Sequence, residues 1–191
     1  MAPALHASET ELTGREGHPR ERFPLPVWLE SFGDPTLDAV ARRAVEDWNA
    51  LAGEVLGTPA FALTAAREAA QVTVAVQPPG ASGLMGFTEL ATDGTGAIAL
   101  PVRVTVLAPV ARGQTSRETV LYQVLAHELG HALGLPHVRD PRSLMCCVRG
   151  SVDFADPAAR DAYVEARRRP DVRSARVQLG EHHAAFWRPR P

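Results

Sequence analysis

The sequence predicts one domain of the α+β class, and three observations carry that expectation. Short runs that alternate apolar and polar residues sit between two long stretches of helical periodicity. The 191 residues suit a single domain with or without a tail. Hydrophobic residues at 45% and charged residues at 22% give the balance of a globular protein with enough apolar surface for a core. A formal charge of -2 creates no strong field for nucleic acid or an anionic membrane. No run reaches the roughly 18 apolar residues of a membrane span. The expected protein is soluble and monomeric, with neither nucleic acid nor membrane as a partner.

Residues 1–22 are polar and read as a flexible N-terminal segment. They lack a basic start followed by an apolar run, so the chain is expected to be cytoplasmic unless a leader has been removed. Val27 to Glu30 reads as a short strand whose start suits Pro24 and Pro26. Asp34 as N-cap and Pro35 at the first helical position open an amphipathic helix. Its stripe is Leu37, Val40, Ala41, Ala44, Trp48 and Leu51, with Gly53 as the expected stop. Phe61 to Leu63 and Gln71 to Val76 read as strands, the second closed by Pro78, Pro79 and Gly80. Leu84 to Leu90 and Ala97 to Leu107 form a further strand pair around the turn Thr92 to Gly96, with Pro101 marking a bulge or an edge. Thr115 and Glu118 fit a capping box before a helix from Ser116 to Leu133. Asp156 and Pro157 open a third helix, Ala158 to Arg169, which Pro170 ends. Residues 23–170 are thus the expected folded domain, and 171–191 a tail packed loosely on it.

Chemistry concentrates in His127 to His137, HELGHALGLPH. On a helix His127 and His131 share a face, so both imidazoles can reach one ion. Glu128 is turned about 100° from His127 and can touch a ligand of that ion. Gly134 can take positive φ, ending the helix and letting His137 return as a third ligand. Three neutral imidazoles with one open position suit a catalytic zinc carrying a water, whereas structural sites close all four positions. A carboxylate beside that water can take its proton as it attacks a carbonyl. A chance match to the eleven-residue pattern is on the order of 10⁻⁴ per chain.

These eleven residues resemble the extended zinc motif of the metzincin metallopeptidases. With Met145 following in Ser-Leu-Met, the stretch Val124 to Met145 looks most like the matrixins, especially their small bacterial members. The resemblance implies a twisted mixed sheet of about five strands with an antiparallel edge strand, packed on a backing helix and the active-site helix. It implies that His127, His131 and His137 hold one zinc, that Glu128 is the general base, and that Met145 forms the Met-turn. It also implies an edge strand that pairs with extended substrate backbone. The candidate is Gly83, Leu84, Met85, Gly86 and Phe87, which also reads as an ordinary hairpin strand. The implied function is a zinc-dependent endopeptidase that cleaves extended polypeptides through a zinc-bound water activated by Glu128. The rival from another class is a zinc-bearing binding or regulatory module without useful turnover, against which the intact Glu128 argues.

Three departures from the family stand out. Where animal matrixins have a Pro-x-Tyr wall, this chain has Cys146, Cys147, Val148 and Arg149. No histidine lies between Pro19 and Ala126, so a second, structural zinc is not expected. No cysteine precedes Cys146, so latency through a cysteine on the zinc is not available. Neighbouring cysteines cannot staple distant segments; they read as packing, with a redox feature near the metal as the alternative. His6, His18, His182 and His183 read as solvated. The loop Asp93 to Gly96 has oxygens that could hold calcium, as matrixin loops can, and fits a plain hairpin turn equally well.

Overall fold

The computed structural model describes residues 12–79 and 85–188. In chain order they form β1 (Leu25–Leu29), α1 (Pro35–Leu56), β2 (Phe61–Leu63), β3 (Val72–Gln77), β4 (Gly86–Glu89), β5 (Val102–Leu107), α2 (Arg117–Ala132), α3 (Pro157–Arg168) and α4 (Arg176–Phe186). The fold is α+β, with one five-stranded mixed sheet in the order β2-β1-β3-β5-β4. β1, β2, β3 and β5 pair in parallel, and β4 joins antiparallel at the edge, Gly86 opposite Val106. Among the described residues no helix is long and apolar enough to cross a membrane.

One core joins the layers. The buried stripe of α1, from Leu37 through Trp48 to Leu56, and that of α2, Leu121, Leu125 and Leu129, pack with Val72, Val74, Val102 and Val104 of the sheet. Trp48 Nε1 donates to the Ala126 carbonyl at 2.9 Å, fixing the backing helix to the turn that carries His127.

Element boundaries differ from the sequence expectation where tertiary contacts decide them. α1 runs past Gly53, which faces open space, and stops at Gly57, whose φ is +74°. Ser116, not Thr115, caps α2, accepting from the Thr119 N–H at 3.2 Å. β5 starts only after Pro101; Ala97 and Ile98 instead bridge to Gly17 and Thr92. Of the segment expected to be flexible, residues 1–11 lie outside the described residues, and residues 12–22 are held against the body. The Gly17 N–H donates to Gly96 at 3.1 Å, and His18 is fully buried.

The tail, expected to pack loosely, is helical and contributes to the core. Val172, Ala175, Leu179, His182 and His183 are buried at helical spacing along a short 3-10 turn, Val172–Ala175, and α4. Two histidines occupy stripe positions that a hydropathy reading reserves for apolar residues, which is why the helix was hidden. Both ends of the described chain meet there: Trp187 Nε1 donates to the His18 carbonyl at 2.9 Å, and Phe23 meets His183 edge-on, centroids 5.4 Å apart.

Candidate metal centre

The last two turns of α2 carry His127 and His131, and the helix ends in a hydrogen-bonded reversal. Gly134 takes φ +95°; its N–H donates to His131 at 2.8 Å, and the Leu135 N–H to Gly130 at 3.0 Å. This pair of bonds is a Schellman cap. A Cβ on Gly134 would also stand 2.7 Å from the Glu16 carbonyl and 2.9 Å from His182 Nε2. Only glycine meets both demands, and the reversal returns His137 to the helix.

The ligand atoms of His127, His131 and His137 all lie within 4.8 Å of one another, so these three can hold a metal ion. Nε2 of His137 stands 3.1 Å from Nε2 of both His127 and His131. Two nitrogens at about 2.0 to 2.1 Å from a tetrahedral ion would lie roughly 3.3 Å apart, so the spacing fits zinc. The opposite ring atoms have fixed partners: His127 Nδ1 meets the Leu144 carbonyl at 2.7 Å and His131 Nδ1 the Leu135 carbonyl at 2.8 Å. A carbonyl can only accept, so both Nδ1 atoms carry the proton and both Nε2 lone pairs face the centre. Burial holds the His127 pKa at about 4, with the charges of His137 and Arg167 acting the same way. Burial likewise holds His131 at about 3. Both rings are therefore neutral at pH 7, the form a metal needs.

Glu128 is 6% exposed and points at β4. Thr88 Oγ1 donates to Glu128 Oε2 at 2.7 Å, which restrains the carboxylate. The strand comes this close because Gly86 has no side chain: a Cβ there would lie 2.7 Å from Val124 Cγ1 and 3.3 Å from Glu128 Cγ. On the far side Met145 is fully buried and fills the space over Gly130. The turn before it is braced twice, the Met145 N–H donating to Ser143 Oγ at 3.1 Å and the Leu144 N–H to Ser174 Oγ at 2.8 Å.

The centre opens on a cleft of about 750 Å³, lined by Met85, by Gly86 and Thr88 of β4, and by Cys146 to Arg149. Of the expected substrate strand, Gly83 and Leu84 lie outside the described residues, Met85 and Gly86 line the cleft, and Phe87 does not. Cys146 and Cys147 are joined as a disulfide between neighbours and form part of the wall. Tyr163 and Arg167 of α3 also line the cleft. Nothing in their local spacing marked them, since α3 reads only as a capped amphipathic helix. His18, His182 and His183 are buried rather than solvated. In the Asp93 loop, Asp93 Oδ1 accepts from the Thr95 N–H at 2.8 Å, the Thr95 hydroxyl at 2.6 Å and the Ala97 N–H at 3.0 Å, which closes a tight turn.

Two comparisons with known proteins complete the picture. The family model Matrixin matches residues 34–155, from the cap of α1 to the segment just before α3. Among curated proteins none matches this chain.

Proposed function

Because the chain belongs to the matrixin family of zinc metallopeptidases, we propose that it is a zinc-dependent endopeptidase acting on extended polypeptide. The observation that carries this reading is the convergence of three Nε2 atoms, those of His127 and His131 with tautomers set by carbonyls, beside the restrained carboxylate of Glu128. His127, His131 and His137 would hold the metal. Zinc, when bound, supplies a Lewis acid that polarises a carbonyl and eases deprotonation of water.

Glu128 then has the work of the proton. Its carboxylate takes a proton from the attacking water and delivers it to the nitrogen of the leaving amine. Thr88 keeps that carboxylate from swinging away between the two transfers. β4 is one of the two terminal strands of the sheet and lines the cleft, so an extended peptide can add beside it by backbone pairing. Met145 serves as an apolar floor that supports the helix turn between the two helical histidines.

The test combines metal analysis with hydrolysis of a peptide library by the parent, by a chelated sample and by Glu128→Gln. The parent should contain one zinc and cleave. Chelation should abolish cleavage, and Glu128→Gln should retain zinc while losing at least about a hundredfold in rate. A parent that holds one zinc and cleaves nothing would instead be a binding module. A Glu128→Gln variant with the parent's rate would remove Glu128 from the role of base.

A further inference from the structure

We infer that Arg167 makes this cleft select peptides bearing a carboxylate side chain next to the scissile bond, an inference that rests on the peptidase reading. Arg167 lies in the last turn of α3, and its guanidinium carbon stands 3.7 Å from the ring centroid of Tyr163, one turn earlier. Its Nη1 donates to the Pro141 carbonyl at 3.2 Å and its Nη2 to the Cys146 carbonyl at 3.1 Å. Stacking and two hydrogen bonds thus hold the group in one place on the cleft wall.

Those partners are neutral. A guanidinium has five N–H donors, and the carbonyls engage Nη1 and Nη2 without cancelling the charge. Nε is buried and has no partner among the described residues. Arg117, Arg160, Arg169, Arg173 and Arg176 each meet a carboxylate, whereas none of the ion pairs among the described residues includes Arg167. A half-buried cation without a counter-ion is costly to keep, and a ligand carboxylate relieves that cost.

Apart from Glu128, the charged lining has the same sign. Among the described residues of the cleft the charged side chains are Arg149, Arg167 and Glu128, and Glu128 is engaged by Thr88 and committed to the proton. An incoming Asp or Glu would therefore find a preset guanidinium fork and no competing acid. A Lys or Arg side chain would meet repulsion at the same wall. Arginine stays charged throughout the working pH range, so the preference depends only on the substrate carboxylate being ionised.

Paired peptides identical except for Glu or Gln, placed in turn at each of the two positions flanking the scissile bond on either side, provide the test. The readout is the ratio of kcat/KM within a pair, which cancels the fraction of active enzyme. The parent should favour Glu over Gln by about tenfold or more at one position, the size expected when a neutral hydrogen bond becomes charge-assisted. Arg167→Gln should bring that ratio to near one. Because Arg167 also braces the turn before Cys146, Arg167→Lys serves as a second variant. It keeps the charge without the fork, and its ratio should fall between the other two.

The same pairs are also titrated by fluorescence anisotropy into the zinc-loaded Glu128→Gln protein, with and without Arg167→Gln. This arm needs no turnover, so a protein that binds Glu peptides selectively but cleaves nothing would retain this inference while losing the peptidase reading. Ratios near one at every position in the parent, a preference that survives Arg167→Gln, or no binding of either peptide would overturn it.

Discussion

Gly130 and Met145 occupy one space, and their pairing shows how the site works at the scale of single residues. A Cβ on Gly130 would overlap Met145 Sδ and come within 3.2 Å of Trp48 Cζ2. Alanine is the better helix former by about 1 kcal/mol, yet overpacking costs about 1 to 3 kcal/mol. Packing wins, so Gly130→Ala should lower the urea midpoint; a more stable variant would refute this. Met145→Leu conserves volume and should cost less than about 1.5 kcal/mol while retaining zinc by metal analysis, if the thioether is the floor we propose and not a ligand. The histidines and Glu128 are legible in the sequence because one helix and one turn bring them together within eleven residues. Thr88, 40 positions from Glu128, and Ser174, 30 positions from Leu144, are not, since each acts through a contact with no sequence period. Arg167 is hidden for the same reason, its partner carbonyls lying 26 and 21 positions away.

Elements were legible where a cap or a period is local. Asp34 caps α1, and Asp156 caps α3, each side chain accepting from an N–H two residues on. Helix ends were less legible because glycine signals a stop without saying which glycine. Gly53 sits inside α1 with nothing near its absent side chain, and Gly57 has the positive φ that ends the helix. Gly134 is the functional instance. Its φ of +95° and the Glu16 carbonyl, 2.7 Å from where a Cβ would stand, leave no room for any side chain. A non-glycine residue in the left-handed region costs about 1 kcal/mol or more before any clash. Gly134→Ala should therefore reduce thermal stability and weaken zinc binding together, since the same reversal delivers His137. Calorimetry and zinc titration on one preparation check this. A variant that loses stability but binds zinc as tightly as the parent would uncouple the turn from the metal.

Across the whole molecule, histidine is used far beyond the motif, and that use predicts how the protein meets acid. His18 and His183 lie where the described chain ends converge, behind the loop of Gly134, and burial holds both pKa values at about 4. His127 and His131 are at about 4 and about 3 for the same reason, and His182 is lowered by burial against the opposing pull of Glu16. In the unfolded chain each histidine titrates near about 6.5. Below that pH the unfolded state binds protons that the folded state refuses until about pH 4, so stability must fall as pH drops through this window. Above about 6.5 both states are neutral and these groups add no slope. For a buried histidine such as His18 the penalty reaches roughly 3 kcal/mol at the acid end of the window. The urea midpoint of the metal-free protein should thus be nearly level from pH 8 to 7 and decline steeply from pH 6 to 4. His18→Gln keeps a donor for the Ala132 carbonyl, which His18 Nε2 meets at 2.8 Å, and removes one titrating ring. Its midpoint should decline less steeply than the parent's over the same range. A metal-free parent whose midpoint is unchanged between pH 7 and 4 would mean that these rings are not held neutral in the fold. Equal slopes for parent and variant would remove His18 from the set.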